Sequence, residues 1–373
     1  MEVYAVLLFS SCLFALFLTP LLRRAAIKNG ALDYPDERKL HKEAVPRVGG
    51  IAITISFFIT VVLSYMLLRA KLRESMVYLA GLSIGAAVIS LVGIWDDLWG
   101  LKAGRKLVGQ VVAVLAIMPF GFVIREFSIP FAGVVEIGWK LGIPLTLFWI
   151  VGVANTINFI DGMDGLAAGT VITISCALFV ISVVTDRLLM AVVCLVLTGS
   201  TLGFLRYNFH PATIFMGDCG AMFLGFMLAA VSVEVLFQNP SIAASSFVPV
   251  LIFGLPILDT SWAILRRLRR RQSPFHADNF HIHHRLIDLG LTQRQAAVVL
   301  YAVSSLSVTA GLTIALAGSE RLGVVLSASM LAVALAGIMV LNRVSPSPKL
   351  PEHRSVRPSE NLRPVVRKLY RKG

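Results

Sequence analysis

The chain has 373 residues, of which 57% are hydrophobic and only 15% charged, with a mean hydropathy of +0.80. A soluble domain carries about a quarter charged residues, so the composition excludes a soluble globular protein and implies an all-α, polytopic integral membrane protein. Short alternating segments of the kind that build a membrane β-barrel are not what the chain shows, and the net charge of +13 does not imply nucleic acid, because topology explains where the positive residues lie.

Eleven apolar runs approach the roughly 20 residues that cross a bilayer: about 3–22, 48–68, 76–95, 107–124, 141–157, 165–184, 188–205, 214–236, 243–265, 295–317 and 322–341. Met1-Glu2-Val3 supplies no basic region ahead of Leu7–Leu22, so the first run reads as a retained helix rather than a cleaved signal. If alternate connections are assigned to opposite sides, residues 23–47, 96–106, 158–164, 206–213, 266–294 and the tail hold 27 of the 34 Lys and Arg, and the other side holds 7. The positive-inside rule then places the N-terminus outside and the C-terminus in the cytoplasm. An even number of spans would spoil this split. Residues 1–343 read as one transmembrane unit, and 344–373 as a basic tail containing Pro and Ser, suited to anionic lipid. Cys12, Cys176, Cys194 and Cys219 lie in or beside apolar runs without metal-ligand spacing and read as packing residues.

The polar clusters all fall on the side assigned to the cytoplasm. Asp33–His41 precedes Pro46-Arg47-Val48-Gly49-Gly50, and Arg38, Lys39 and His41 are either flank charges or phosphate contacts. Gly93-Ile94-Trp95-Asp96-Asp97-Leu98-Trp99-Gly100 places adjacent carboxylates at a span end. The tryptophans suit interface anchors, and the paired charges suit a nearby cation. Asn155-Thr156-Ile157-Asn158-Phe159-Ile160-Asp161-Gly162-Met163-Asp164-Gly165 joins two spans. Asp161 and Asp164 share a face if helical, whereas the glycines argue for a broken helix end with free backbone groups. Phe215-Met216-Gly217-Asp218-Cys219-Gly220 opens a span in which Asp218 is an N-cap or a metal ligand, and a carboxylate-rich site suits Mg²⁺ or Mn²⁺ better than Zn²⁺. Glu234 is expected near the outer face, and Asp259 in the inner half as a structural residue. Arg266–Arg271 reads mainly as the basic flank of the ninth span. His276, His281, His283 and His284 lie within nine residues; with Arg285 they are donors suited to a pyrophosphate, and a zinc site is the rival without nearby cysteines.

Together these motifs resemble the polyprenyl-phosphate N-acetylhexosamine-1-phosphate transferases, in the bacterial undecaprenyl-phosphate N-acetylglucosamine-1-phosphate transferase branch. The similarity runs from about residue 33 to 290. It rests on Asp96-Asp97, the Asn155-to-Gly165 pattern, Phe215-Met216-Gly217-Asp218 and His281-Ile282-His283-His284. The last form resembles the N-acetylglucosamine branch more than the muramoyl-pentapeptide branch, which has three consecutive histidines. Two departures are Ala221 in place of the family's serine, and Asp278-Asn279-Phe280 where an Arg-Asp pair is commoner.

The resemblance implies a Mg²⁺-dependent reaction in the bacterial inner membrane, in which a UDP-N-acetylhexosamine and undecaprenyl phosphate give the polyprenyl-diphospho-sugar and UMP. It implies Asp218, with Asp97, at the metal, and Asp96 and Asp97 beside the lipid phosphate. Asn155, Asn158, Asp161, Gly162 and Asp164 would form the nucleotide site, with Phe215 against the uracil, and His281, His283 and His284 would meet the diphosphate or sugar. A homodimer is compatible with such an enzyme. The lipid phosphate is mostly a dianion at neutral pH, so direct attack is expected, with a covalent aspartyl intermediate as the rival. A secondary transporter would place its charges near the midplane rather than at one face, and an intramembrane aspartyl protease would not need the histidines or the Asn pair.

Overall fold

The computed structural model describes residues 2–34, 43–129, 133–238, 247–272 and 281–344. The expected basic tail and the candidate phosphate contacts Arg38, Lys39 and His41 lie outside the described residues. The architecture is nearly all helical. The long helices are α1 (Glu2–Asn29), α2 (Gly49–Leu72), α3 (Met76–Trp99), α4 (Ala103–Ile117), α5 (Gly138–Ile160), α6 (Leu166–Val184), α7 (Leu188–Asn208) and α8 (Gly217–Ser232). After these come α9 (Phe247–Ile252), α10 (Gly254–Arg269), α11 (Ile282–Asp288), α12 (Gln293–Ala317) and α13 (Glu320–Val344). Among the described residues, nine helical stretches are long and apolar enough to cross a membrane, which makes this a multi-pass membrane protein.

Each apolar run read from the sequence has a helical counterpart, and the one expected at 243–265 is arranged differently. Gly49–Trp99 is one continuous apolar stretch that turns through a 3-10 segment at Arg73–Ser75, giving α2 and α3. The run expected at 243–265 is two helices, α9 and α10, parted at Phe253. Pro256 cannot donate a backbone hydrogen bond to the preceding turn, so the Ile252 carbonyl loses its helical donor, and next to it the Leu251 carbonyl accepts from the Ser307 hydroxyl on α12 at 2.7 Å. A break inside an apolar run survives where a neighbouring helix satisfies the exposed backbone.

Two small antiparallel ribbons were not anticipated. β1 (Leu32–Asp33) pairs with β2 (Val45–Pro46), and β3 (Glu126–Ile129) pairs with β4 (Gly133–Glu136). Such short strands leave no periodicity to read. The first ribbon delivers Arg47 to the start of α2.

The core is organised around α8, every residue of which is buried. A helix apolar on all sides belongs at the centre of a bundle, and α2, α3 and α5 pack around it. Small residues allow the approach. A Cβ on Gly50 of α2 would collide with the backbone of Gly220 on α8, and one on Gly93 of α3 with Cys219. On the far side, the Gly199-x-x-x-Gly203 pair of α7 lies against α1, where a Cβ would meet Ser11 and the Cys12 carbonyl; this is the small-residue contact that membrane helices use in place of a hydrophobic driving force. Helix α13 is peripheral, with Val325, Leu331, Val333, Met339 and Val340 exposed, as expected of a lipid-facing surface.

Gly50→Ala should lower the thermal midpoint of the detergent-solubilised protein, because overpacking here moves backbone and costs about 1–3 kcal/mol. Gly104→Ala, where a Cβ would meet nothing within 4 Å, should leave the midpoint unchanged.

Candidate active site

The polar residues converge where α3 ends, α4 and α8 begin, and α5 turns into α6. The first backbone N–H groups of α8 need acceptors that a buried helix end does not find in water. Asp97 provides them: its carboxylate accepts from the Asp218 N–H at 2.8 Å and the Cys219 N–H at 2.9 Å. Gly217 makes this fit possible. Its φ is +73°, and a Cβ there would lie 2.6 Å from the Arg47 carbonyl and 2.7 Å from the Asp97 carboxylate. The preceding strand of chain is stitched to the start of α2, with Phe215 N–H donating to the Pro46 carbonyl and the Gly49 and Gly50 N–H groups donating to the carbonyls of Phe215 and Met216.

Asp218, 8% exposed, is the hub. One oxygen accepts from Lys106 Nζ at 2.6 Å and Asn158 Nδ2 at 2.6 Å, and the other from Arg47 at 2.5 Å. Lys106 also reaches Asp96 at 3.0 Å, and Arg47 lies 3.4 Å from Asp97. Asp96 further accepts the Leu101 N–H at 2.6 Å. A cleft of about 340 Å³ opens beside Arg47 and Asp97, with Asp33, Leu98 and Trp99 among its walls.

The turn Asp161–Gly165 is a broken helix end, with Gly165 in the left-handed region at φ +76° before α6. It sends its two carboxylates to different places. Asp164 accepts from the Ala212 N–H at 3.0 Å and pairs with His210 Nδ1 at 2.7 Å, while the Gly165 N–H donates to Asn208 and its carbonyl accepts from Tyr301. Asp164 thus braces the turn against the α7–α8 connection, away from Asp218. Asp161 is half-buried and makes no side-chain hydrogen bond among the described residues. Desolvation holds its carboxyl well above the usual carboxylate range; Arg47 opposes this, and the charges of Asp218, Asp97 and Asp164 add to it.

Asn155 serves α4 rather than the open site. Its carboxamide and that of Gln110 exchange hydrogen bonds at 2.8 and 3.2 Å. Gln110 lies one helical turn beyond Lys106, and Asn155 one turn before Asn158, so this pair sets the two Asp218 contacts in register.

The histidines pack against the same turn. The His281 and His283 rings stack at 5.7 Å, His283 meets His284 at 4.3 Å, and Phe159 lies 6.3 Å from His281. A Cβ on Gly162 would be 3.0 Å from His283 Nε2. His283 is 2% exposed, and among the described residues its Nε2 has no hydrogen-bond partner. Burial, with the neighbouring His284 charge, pushes its pKa down to about 3, against the pull of Asp259. Arg285 is buried on α11, and Phe215 is half-buried with its backbone committed to α2.

The sequence reading singled out neither Lys106 nor Gln110 and named Arg47 only within the stretch Pro46-Arg47-Val48-Gly49-Gly50. The spacing of Lys106 and Gln110 behind the Asp pair, on one face of a helix, was the available signal. For a divalent cation the donors fit in kind. Asp218, Asn158 and Asp161 offer hard oxygens, and Asp161 is an anionic group disfavoured until positive charge arrives. No group of three His, Cys, Asp or Glu side chains that could hold a metal ion exists among the described residues.

Residues 79–236 match the model of glycosyl transferase family 4. The chain is 40% identical over 294 residues to a probable undecaprenyl-phosphate N-acetylglucosaminyl 1-phosphate transferase of Bacillus subtilis, covering 79% of this chain and 80% of that protein. It is 37% identical to a decaprenyl-phosphate N-acetylglucosaminephosphotransferase of Mycolicibacterium smegmatis (76% and 75% covered), and 30% identical to a phospho-N-acetylmuramoyl-pentapeptide-transferase of Desulforudis audaxviator (82% and 93%). This fold and site therefore define a membrane-embedded transferase. The chain belongs to glycosyl transferase family 4, among the polyprenyl-phosphate N-acetylglucosamine-1-phosphate transferases.

Asn155→Leu should strand the buried Gln110 amide and cost about 1–3 kcal/mol, while the double change with Gln110→Leu recovers much of the loss; thermal midpoints of the two variants check this. For His283, the unfolded chain binds a proton near its ordinary value of 6.5 and the folded chain only near about 3. The unfolded state holds more protons between those values, so stability falls as pH drops through this window. His283→Gln should show a smaller loss of thermal midpoint between about pH 7.5 and about pH 5 than the unaltered protein.

Proposed function

We propose that this protein transfers N-acetylglucosamine-1-phosphate from UDP-N-acetylglucosamine to undecaprenyl phosphate, giving undecaprenyl-diphospho-N-acetylglucosamine and UMP. The sugar phosphate and the polyprenyl acceptor rest on the relatives' names. The observation that carries the chemistry is the convergence of Lys106, Arg47 and Asn158 on Asp218. Two cations held at a buried carboxylate are preorganised for a substrate with several anionic oxygens, and such preorganisation is where most of the acceleration in phosphoryl transfer arises. The placement we favour has eleven spans in the bacterial cytoplasmic membrane, with the N-terminus outside and this site at the inner face, where a nucleotide sugar is available.

In the step itself an oxygen of the lipid phosphate bonds to the β-phosphorus of the donor, and the bridging oxygen leaves with UMP. The acceptor needs no base, being mostly a dianion at neutral pH. Asp96 and Asp97, the two carboxylates placed beside the lipid phosphate, are otherwise engaged. Asp97 has one backbone N–H of α8 on each oxygen, and Asp96 holds Lys106 and the Leu101 N–H. A covalent aspartyl intermediate at Asp97 would detach the start of α8, so direct attack is the better account. Lys106 and Arg47 can turn from Asp218 to the diphosphate and stabilise the charge that builds on UMP. Mg²⁺, held by Asp218 with Asn158 and Asp161 nearby, would supply further charge neutralisation at the diphosphate. Asp161 and Gly162, beside the histidines, face the donor in this scheme.

Purified protein in detergent should release UMP from UDP-N-acetylglucosamine only with undecaprenyl phosphate and a divalent cation. EDTA should abolish release, and Asp218→Ala or Lys106→Met should lower it about 100-fold or more. UMP release from a UDP-muramoyl-pentapeptide donor alone would move the assignment to the other branch, and exchange of UMP into the donor without lipid would overturn direct attack.

A further inference from the structure

One buried carboxylate takes no part in the scheme above. Asp259 lies in α10, the inner half of the broken span, and is 3% exposed. Both of its oxygens turn to the histidine segment: Oδ2 lies 2.6 Å from His281 Nδ1, and Oδ1 accepts the Ile282 N–H at 2.8 Å. A carboxylate inside an apolar span is costly to keep, and a plain helix cap would not need a second contact to an imidazole. The break at Phe253 begins α10 close to this point, so α10 and α11 are tied together at Asp259.

The contact has a chemical consequence. A carboxylate is an acceptor, so Nδ1 must carry the proton that bridges to it, and the ring is left with Nε2 as its remaining polar atom. The ring cannot turn away. It is stacked on His283 at an interplanar angle of 6°, with Phe159 at 6.3 Å, and its backbone N-terminal to Ile282 is fixed by the second Asp259 oxygen. We propose that Asp259 is a positioning residue for the transfer: it locks His281 in one orientation and one tautomer, leaving Nε2 for the donor's diphosphate or sugar. This inference rests on the transferase reading for what Nε2 meets, but the locked ring stands without it.

Two measurements test it. In protein labelled with ¹⁵N only at histidine, and assigned with a His281→Gln control, His281 should show a protonated Nδ1 at neutral pH; an unprotonated Nδ1 overturns the proposal whatever the activity. In the UMP-release assay, Asp259→Asn should lower kcat about 10–100-fold, the usual effect of losing the carboxylate behind a working histidine, with the donor KM changed less than about 3-fold. Placed on His281→Gln, the same change should cost less than about 2-fold further, because its effect runs through that ring. An equal loss in both backgrounds, or a loss only in KM, would make Asp259 a helix cap and nothing more. Should Asp259→Asn not yield folded protein, the labelling result on the unaltered ring decides alone. Absence of UMP release from the unaltered protein would count against the transferase reading and leave the ring measurement standing.

Discussion

A helix buried on every side still has to satisfy the N–H groups of its first turn, and in this protein that requirement falls on α8. Asp97 meets it from the last turn of α3, and the rest of the site follows. The carboxylate sits at the positive end of the α8 dipole, Gly217 takes a left-handed conformation to admit it, and the chain before Gly217 is pinned to the start of α2 by three backbone hydrogen bonds. Asp218 is therefore placed by backbone geometry before any of its own side-chain contacts are counted. Rigid placement of this kind is what a site built on helices offers over one built on loops.

The second tier of the arrangement is lateral. Lys106 comes from α4, Asn158 from α5 and Arg47 from the link between β2 and α2, and all three reach one carboxylate. Long side chains can meet anything within several ångströms, so their agreement needs the helices held in register. The Gln110–Asn155 amide pair does this one turn deeper, between α4 and α5. Where lipid surrounds the bundle and hydrophobic attraction between helices is weak, such interhelical hydrogen bonds and the close contacts at Gly50, Gly93 and Gly220 carry the alignment. The functional groups are thus the outer end of a column of packing and polar contacts along α8.

Much of this was legible in the sequence, and the parts that were not have identifiable causes. The apolar runs disclosed the helices, because bilayer thickness sets their length. Asp96, Asp97, Asp161 and Asp218, with the polar Asn158, stood out because charged and polar groups beside an apolar run are expensive. Their separate roles did not: Asp161 and Asp164 look alike three residues apart, and only the left-handed turn at Gly165 sends one to His210 and leaves the other facing the open site. Lys106 and Arg47 were hidden among the positive residues that topology already explained. Asp259 gave away its burial but not its partner, since the link to His281 is made across 22 positions of chain. The strand ribbons were too short to have a period.

The balance of charge ties these contacts to function. Around the hub, Asp96, Asp97, Asp161 and Asp218 face Lys106 and Arg47, two more carboxylates than cations. Left alone the cluster relieves the excess by raising the Asp161 pKa and by holding both cations on Asp218. A nucleotide diphosphate and a lipid phosphate bring further negative charge into a region of low dielectric, where repulsion is felt strongly. They can be accepted only if positive charge enters with them and the resident cations are released toward them. In the proposed reaction Asp218, with Asn158 nearby, would hold a divalent ion as the source of that charge, and Lys106 and Arg47, the present partners of Asp218, would turn to the phosphates. In the proposed reaction the ion pairs of Lys106 and Arg47 with Asp218 are therefore a held reserve of positive charge.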